Sequence, residues 1–279
     1  MKVLVTGVSG QLGFDVMREL LARGIEAKGA SRSDFSLTDF AAMRRFVEAH
    51  RPTAIIHCAA YTAVDKAEDE PELCREVNAA ATGELARLAK ELGAKFLYIS
   101  TDYVFPGTGE DFYEPEDEKA PCNVYGESKL LGEEAAREAL EELFIVRISW
   151  VFGENGKNFI KTMLRLAETH EELSVVGDQI GSPTYTRDLA RLLADMIVTE
   201  KYGVYHATNE GTCSWAELAA EALHCAGKKT RVKAIKTEEY PTKAKRPKNS
   251  RLSKKCLDDA GFSRLPDWRD AVARYVALI

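Results

Sequence analysis

The chain has 279 residues, of which 45% are hydrophobic and 29% are charged, the composition of a folded protein with ample core material. This length suits one large α/β domain with a smaller companion. No apolar run approaches the roughly 20 residues that a membrane helix needs, and the chain begins with the pattern of a strand rather than of a signal peptide. We therefore expect a cytoplasmic protein that does not contact a membrane.

The cysteines and the charges argue against two further classes of protein: those held by disulfides or zinc, and those that bind nucleic acid. The six cysteines are scattered, which argues against a disulfide framework or a zinc site. Residues 228–255 hold 12 Lys/Arg and 2 Asp/Glu, a net charge of +10, so the rest of the chain carries −16. Nucleic acid could bind the basic segment, but the remaining surface would repel a polyanion. We expect no nucleic-acid partner, and instead a solvated face or a site for a small phosphorylated ligand.

Strands and helices alternate through the first half of the chain. The pattern predicts strands at Lys2–Val5, Ile25–Ala30, Ala54–Ala60, Phe96–Ser100 and Phe144–Ile148, and helices at Gln11–Arg23, Phe40–His50 and Glu72–Leu92. The continuous apolar run 54–60 indicates a strand that is covered on both faces. Repeated alternation of this kind predicts an α/β fold with a doubly wound parallel sheet of the Rossmann type.

Beyond about residue 150 the alternation becomes less regular. Helices are predicted at Asn158–His170, Thr186–Glu200 and Ser214–Gly227, and short strands at Leu173–Val176 and Val204–Ala207. We predict a dinucleotide-binding domain from residues 1–150, to which about 178–205 return. A smaller α/β substrate lobe would comprise about 151–177 and 206–279, and would cover the carboxyl edge of the sheet, where ligands bind in such folds.

Three glycines, Gly7, Gly10 and Gly13, lie between the first strand and the first helix. The first would permit a tight turn, the second would let backbone N–H groups approach a pyrophosphate, and the third would allow close helix packing. Their spacing differs from the usual G-x-G-x-x-G fingerprint, so three ordinary turn glycines are the alternative. Their place directly after the first strand favours a nucleotide loop.

The end of the second strand bears on the choice of cofactor. An acidic residue there would hold the ribose 2′-hydroxyl of NAD, whereas an arginine favours the 2′-phosphate of NADP. Both types are present, as Arg32 and Asp34. Arg32 follows the strand directly and has a serine on each side, which favours NADPH, with NADH as the alternative. Asp34 could equally close a turn or cap a helix.

Tyr125 and Lys129 are four residues apart, so they share one face of a helix. An unperturbed phenol has a pKa of about 10 and exchanges protons poorly near neutrality. A nearby ammonium stabilises the phenolate and lowers that pKa. Together with a dinucleotide loop near the start of the chain, the pair indicates a hydride-transfer enzyme.

Seven segments, spread nearly end to end, carry motifs of a known family. They are Thr6–Gly13, Ala59–Glu68, Ser100–Gly107, Asn123–Lys129, Arg147–Gly153, Asp178–Thr184 and Arg246–Leu252. On these segments the chain resembles the dTDP-4-dehydrorhamnose reductases of the extended short-chain dehydrogenase/reductase superfamily. The tyrosine–lysine pair marks the whole superfamily, whereas the runs at 101–105 and 246–250 are more specific to the reductases.

The resemblance implies a reaction and three catalytic residues. The reaction is the NAD(P)H-dependent reduction of the C4 ketone of dTDP-4-dehydro-6-deoxy-L-mannose to dTDP-L-rhamnose. Tyr125 would give a proton to the C4 oxygen, Lys129 would hold the nicotinamide ribose and lower the pKa of Tyr125, and Thr101 would hydrogen-bond the sugar oxygen. Because Thr101 follows an apolar strand, it is also expected at the carboxyl edge of the sheet, where a hydroxyl donor can stabilise developing charge.

The resemblance also implies binding residues. Those along the cofactor would be Gly7, Gly10, Gln11, Leu12, Gly13, Arg32, Ser36, Leu37, Ala59, Ala60 and Thr62, besides Tyr125 and Lys129. Those on the sugar nucleotide would be Thr101, Asp102, Trp150, Arg246 and Asn249. Alternative roles are a core position for Trp150, a turn cap for Asp102 and a solvated cation for Arg246. Asn78 would support the active site, with a surface position as the alternative.

Some family members form a dimer across a magnesium ion held by acidic side chains. Asp15 could match one such acid, but Arg187 stands where a carboxylate is expected, which argues against a metal site. We predict a monomer or a homodimer without a bound metal. His57 and His206 end predicted strands and are expected to be ordinary histidines at the edge of the core.

Two other functions fit parts of the pattern. The sugar-nucleotide 4,6-dehydratases carry a glutamate after Thr-Asp, and here Tyr103 occupies that place, so the base that takes the C5 proton is missing; another sugar-nucleotide reductase or an epimerase remains an alternative. The β subunit of methionine adenosyltransferase resembles these reductases and binds NADP without a known need for turnover. A regulatory subunit is therefore the alternative from a different class.

Overall fold

The computed structural model describes residues 1–279, and the first 150 residues alternate strand and helix as predicted. The strands are β1 (Lys2–Thr6), β2 (Glu26–Ala30), β3 (Ala54–His57), β4 (Lys95–Thr101) and β5 (Leu143–Ile148). The helices are α1 (Gln11–Ala22), α2 (Phe40–His50), α3 (Val64–Ala67), α4 (Pro71–Arg75), α5 (Ala81–Leu92) and α6 (Val124–Ala139). One turn of 3₁₀ helix, Asp102–Val104, follows β4.

The second half contains shorter elements, several of which the sequence pattern did not predict. The strands are β6 (Val151–Phe152), β7 (Glu172–Val176), β8 (Ile180–Gly181), β9 (Thr184–Tyr185), β10 (Gly203–His206), β11 (Cys213–Ser214), β12 (Arg231–Ile235) and β13 (Asn249–Ser250). The helices are α7 (Phe159–Leu166), α8 (Thr186–Ile197), α9 (Trp215–Cys225), α10 (Lys255–Asp259) and α11 (Trp268–Val276). A further 3₁₀ turn covers Thr237–Glu239. No helix of the chain is both long enough and apolar enough to cross a membrane.

Six parallel strands form the central sheet in the order β10-β5-β4-β3-β1-β2. In this order β2 lies on one side of β1 and β3 lies on the other. The connections that leave β1 and enter β3 therefore diverge, which opens a crevice at the carboxyl ends of these two strands. The predicted doubly wound parallel sheet is therefore confirmed.

The core lies on both faces of this sheet because the side chains of each strand alternate. Val3 and Val5 of β1 face α1 and α8, whereas Leu4 faces α2 and α5, and all three are fully buried. A smaller core, centred on Trp268 and Tyr275, holds the second lobe together. The division into domains stays a prediction.

The predicted helix at residues 72–92 is interrupted by a wide π-helical turn, Glu76–Ala80. Two hydroxyls compete for the main-chain oxygen of Asn78: Thr82 donates to it at 2.8 Å and Tyr98 at 3.1 Å. Side-chain donors that enter the helical ladder widen it locally, and such turns are frequent at functional sites. The predicted strand at 54–60 is also shorter than expected, because the chain leaves the sheet after His57.

Candidate active site

A cavity of about 980 Å³ opens at the carboxyl edge of the central sheet. It extends from the loop after β1 to the first turn of α6. Its lining includes the predicted cofactor residues Gly7, Gly10, Gln11, Leu12, Gly13, Arg32, Ser36, Leu37, Ala59, Ala60, Thr62, Tyr125 and Lys129, and the predicted substrate residues Thr101, Asp102 and Trp150. Residues far apart in the sequence are thus brought to one site. Arg246 and Asn249 do not line it.

The glycine loop forms a close-fitting cradle. Gly7 has a φ of +71°, and a Cβ there would lie 2.7 Å from the main-chain nitrogen of Ala59. A Cβ at Gly13 would lie 2.4 Å from the Gly7 oxygen. No side chain caps the start of α1, so the first-turn N–H groups are left for an anion. These features fit the pyrophosphate of a dinucleotide.

Arg32 is exposed at the cavity wall, two residues after the end of β2. Asp34 has a different part: its Oδ2 accepts hydrogen bonds from Ser31 N at 2.8 Å and from Ser31 Oγ at 2.9 Å. The backbone hydrogen bond from Ser31 holds the pKa of the Asp34 carboxyl below its ordinary value. Asp34 therefore closes the turn that contains Arg32, which is one of the alternative roles predicted for it from the sequence.

Two local features place Tyr125 beside Thr101. The side chain of Asn123 caps α6 by accepting a hydrogen bond from Gly126 N at 2.8 Å. A Cβ at Gly126 would lie 2.2 Å from the Tyr103 main-chain oxygen, so only a glycine lets α6 pack so closely on the turn after β4. The ring of Tyr103 then packs edge-on against Tyr125, with 5.6 Å between ring centres.

The protonation state of Tyr125 differs from the expectation. Burial raises the pKa of its phenol above the ordinary value, the Asp102 carboxylate adds to the rise, and a hydrogen bond with Thr101 opposes it. The structure thus shows the opposite direction from the predicted lowering by Lys129. The phenol remains protonated at neutral pH, which is the form that can give a proton to an oxygen.

Lys129 is 2% exposed, and its ammonium lies 4.0 Å from the centre of the Tyr98 ring. Burial lowers the pKa of this ammonium to about 7, although Glu133 opposes the shift. Its side chain lines the cavity, one helical turn from Tyr125. A lysine in this state can hold a hydroxyl ligand or exchange a proton near neutrality.

Asn78 is buried and ties three elements of the site together. Its Oδ1 accepts a hydrogen bond from Tyr61 N at 2.8 Å, and its Nδ2 donates to Tyr61 O at 3.0 Å and to Ser128 Oγ at 2.9 Å. Tyr61 lines the cavity, and Ser128 precedes Lys129 on α6. The structure therefore supports a role behind the active site and excludes the surface alternative.

Thr101 and Asp102 lie at the end of β4, both almost fully buried. Thr101 Oγ1 donates to Asp102 Oδ1 at 2.9 Å and accepts from Tyr103 N at 3.2 Å, so Thr101 rather than Asp102 caps the turn. Burial raises the pKa of the Asp102 carboxyl to about 6, against the hydrogen bonds that it accepts. Both residues present polar groups to the cavity.

Trp150 has a φ of +49°, which is unusual for a residue with a side chain. Its ring stacks on that of Trp215, with 3.9 Å between centres and 16° between planes. Both rings line the cavity. Trp215 was not anticipated from the sequence, although Ser214 and Glu217 form a capping box that marks it as the first residue of α9.

The remaining two predicted substrate residues have other partners. Asn249 is buried and donates to Asp111 O at 2.8 Å and to Thr108 O at 3.3 Å, so it fixes the loop after β4 instead of reaching the cavity. Arg246 is partly buried and donates from Nη2 to Asp65 Oδ2 at 2.6 Å. It is paired with a carboxylate and is not simply a solvated cation.

Comparison with known proteins assigns the chain to a family. The family model described as RmlD substrate binding domain matches residues 1–279. The spore coat polysaccharide biosynthesis protein SpsK of Bacillus subtilis (strain 168) is 40% identical over 275 residues, which cover 99% of this chain and 96% of SpsK. The dTDP-4-dehydrorhamnose reductase of Escherichia coli (strain K12) is 40% identical over 289 residues, covering 98% of this chain and 96% of the relative.

The solved structure of a further relative has the same fold as this chain. The dTDP-4-dehydrorhamnose reductase of Bacillus anthracis (strain Ames), in complex with NADP, matches with a TM-score of 0.97 and 41% identity over 100% of both chains. This chain belongs to the dTDP-4-dehydrorhamnose reductase family. The family resemblance predicted from the motifs is therefore confirmed.

The place where a bridging magnesium would be expected in this reductase family holds arginines. Arg18 and Arg187 both form ion pairs with Glu154, and Arg18 lies 3.5 Å from Asp15 Oδ1. Asp15 Oδ2 accepts a hydrogen bond from Thr186 at 2.5 Å. No three metal-binding side chains of the chain cluster in a way that could hold an ion. These residues do not fit magnesium, because the guanidinium groups of Arg18 and Arg187 already neutralise the carboxylates of Asp15 and Glu154.

The basic segment at 228–255 is partly neutralised by acidic side chains. Its ion pairs are Arg231–Glu172, Lys243–Asp69, Arg246–Asp65, Lys248–Asp178, Lys248–Glu238 and Lys254–Glu210. The segment is therefore not a continuous free cationic face. Its two pairs with Asp65 and Asp69 join it to the segment that follows β3.

Proposed function

We propose that this protein catalyses the NAD(P)H-dependent reduction of the C4 ketone of dTDP-4-dehydro-6-deoxy-L-mannose to dTDP-L-rhamnose. One observation carries the proposal: Thr101, Tyr125 and Lys129 line the same cavity as the glycine cradle. The relatives named dTDP-4-dehydrorhamnose reductase support the substrate.

A nicotinamide dinucleotide, when bound, supplies the hydride. The cradle of Gly7 and Gly13 and the uncapped start of α1 would hold its pyrophosphate. Arg32 would favour the 2′-phosphate of NADPH, because its guanidinium is a bidentate phosphate donor. The NADP complex of the Bacillus anthracis relative agrees with this choice. We expect NADPH to be preferred over NADH.

Tyr125 would act as the general acid. The reduction turns a carbonyl into an alkoxide that must receive a proton, and a phenol kept protonated by burial can supply it. Thr101 would hydrogen-bond the same oxygen as charge develops there. Lys129 would orient the nicotinamide ribose and, while charged, would ease the departure of the phenolic proton.

The sugar nucleotide would occupy the part of the cavity near Asp102 and Trp150. The buried Asp102 carboxyl offers Oδ2, which has no hydrogen-bond partner, to a sugar hydroxyl. The stacked rings of Trp150 and Trp215 offer a flat apolar wall. Arg246, which does not line the cavity, would bind the diphosphate of the sugar nucleotide from beside it.

The decisive experiment follows NADPH absorbance with dTDP-4-keto-L-rhamnose as substrate, for wild type and Tyr125→Phe. A drop in kcat of at least about 10²-fold is expected if Tyr125 is the general acid. Equal rates in the two proteins would exclude that role. Thr108→Ala is a useful control, because Thr108 is exposed and forms hydrogen bonds only through its main chain.

The same assay separates the alternatives. An epimerase would retain its dinucleotide through purification and would interconvert sugar nucleotides without consuming NADPH. A regulatory subunit would oxidise no NADPH with any dTDP-ketosugar and would copurify with a synthetase. Product analysis by NMR would establish the configuration at C4.

A further inference from the structure

A short acidic turn, residues 64–70, contacts both the loop at 243–246 and the start of α6. Two carboxylate oxygens of Asp65 bind the loop at 243–246: Oδ1 accepts from Ala244 N at 3.1 Å, and Oδ2 accepts from Arg246 Nη2 at 2.6 Å. One residue of the turn therefore fixes both the backbone and the guanidinium of that loop.

The other edge of the Arg246 guanidinium has no partner in the protein. Its Nη1 is buried and has no hydrogen-bond acceptor in the protein. Buried donors almost always have an acceptor, so an unpaired one points to a partner from outside the chain. Arg246 lies next to the start of α6: the main-chain oxygen of its neighbour Lys245 accepts a hydrogen bond at 2.9 Å from Nδ2 of Asn123, the residue that caps the helix of Tyr125.

Glu68, one helical turn after Asp65, contacts the catalytic helix. Its Oε1 accepts a hydrogen bond from Val124 N at 2.9 Å. Val124 is the first residue of α6 and precedes Tyr125, and its N–H has no partner within the helix. Glu68 thus holds the end of α6 from which Tyr125 enters the cavity.

Building on the proposed function, we propose that Asp65 and Glu68 are positioning residues for two different steps. Asp65 holds Arg246 so that its free edge meets the anionic diphosphate of the sugar nucleotide. Glu68 holds the start of α6 so that the Tyr125 hydroxyl is aligned with the ketone. The first governs binding of the substrate, and the second governs the chemical step.

Steady-state kinetics with the full-length protein test this division. Asp65→Asn should raise KM for the sugar nucleotide roughly 10-fold and leave kcat and the KM for NADPH nearly unchanged, as expected when an ion-paired hydrogen bond is lost. Glu68→Ala should lower kcat roughly 10-fold with little change in KM, and Glu68→Gln, which keeps an acceptor for Val124 N, should restore most of it.

Asp69→Asn is the matched control. It removes a carboxylate from the same turn, but that carboxylate pairs only with the exposed Lys243. Its kinetics should match wild type. An unchanged KM in Asp65→Asn, or a loss in Asp69→Asn as large as in Asp65→Asn, would overturn the proposal.

Calorimetric titration with dTDP separates this inference from the reaction itself. Asp65→Asn and Arg246→Gln should each weaken dTDP binding, and the double variant should be no weaker than Arg246→Gln, because Asp65 acts through Arg246. Additive losses, or a wild-type protein that binds no dTDP, would refute the positioning role. Non-additive losses in a protein that does not reduce the ketosugar would refute the reaction and leave the positioning role intact.

Discussion

The ammonium of Lys129 lies over the ring of Tyr98, 4.0 Å from its centre, and the Tyr98 hydroxyl donates to the main-chain oxygen of Asn78. The electron-rich face of the ring partly offsets the loss of water around the buried charge. The offset is incomplete, because burial still lowers the pKa of Lys129 to about 7. The charge of this lysine therefore changes within the physiological range.

This pKa predicts a pH dependence. Lys129 carries its charge below about pH 7 and loses it above, so the charge needed to hold a ribose hydroxyl disappears as pH rises. The kcat/KM for NADPH should fall with increasing pH through this region. Lys129→Arg, which stays protonated, should be slower but should lack that alkaline decline. Measurement of kcat/KM from about pH 5 to about pH 9 checks both statements, and an identical decline in the arginine variant would contradict them.

Asn78 supplies a second prediction. Asn78→Ala leaves Tyr61 N and O without partners in a partly buried place, and each unpaired polar group costs up to about 1–3 kcal/mol. We expect a loss of about 2 kcal/mol or more in the free energy of unfolding, measured by urea denaturation, together with reduced kcat. Lys90→Ala, on the exposed side of the next helix, should be nearly neutral. A stable but inactive Asn78→Ala protein would assign Asn78 to the reaction alone.

Local signals explain which elements were predictable. Phe40–His50 was predicted and observed with the same bounds, because Asp39 caps the helix through a contact only three residues away. The predicted helix at 72–92 is broken because a distant hydroxyl, that of Tyr98, joins the Thr82 hydroxyl at the main-chain oxygen of Asn78. Contacts of that kind depend on the folded sheet and leave no periodic pattern in the sequence.

The candidate site also contains residues that local sequence patterns predict and residues whose contacts depend on tertiary packing. The glycine loop and the Tyr125–Lys129 pair have fixed local spacings, and both line the cavity. Arg246 was recognised by motif, but its Asp65 partner arises from tertiary packing. Asn249 was placed on the substrate by resemblance, whereas the structure uses it to hold the loop at 108–111.

The buried ion pair of Arg147 and Glu133 predicts that the loss of one partner destabilises the protein more than the loss of both. Arg147 of β5 donates to both carboxylate oxygens of Glu133 on α6, at 2.8 and 2.7 Å, and both side chains are almost fully buried. Arg147→Met removes the bidentate partner of the buried Glu133 carboxylate and leaves only Arg137, at 3.9 Å, to form an ion pair with it, so it should cost about 3–5 kcal/mol of unfolding free energy. The double variant Arg147→Met/Glu133→Leu should be more stable than either single variant, and urea denaturation measures the cycle. Simple addition of the two losses would disprove the coupling.

Arg32 predicts the cofactor preference. Arg32→Ala removes a guanidinium from the cavity wall, so the kcat/KM for NADPH should fall roughly 10- to 100-fold, the range for a lost charged hydrogen bond, while that for NADH changes little. Arg45→Ala makes the same charge change at an exposed position of α2 and serves as the control. Equal losses with the two cofactors would show that Arg32 does not contact the 2′-phosphate.

The stacked pair of Trp150 and Trp215 supplies the last prediction. Trp150 has a φ of +49°, a conformation that needs support from its surroundings, and the Trp215 ring covers one of its faces. Trp215→Ala should raise KM for the sugar nucleotide several-fold, because a stacked aromatic pair contributes about 0.5–1.5 kcal/mol beyond its buried area. Trp215→Phe should retain most of the affinity, since a ring remains between Trp150 and Phe159. Steady-state kinetics decide the matter: if KM is unaffected by the alanine substitution, Trp150 holds its place without Trp215.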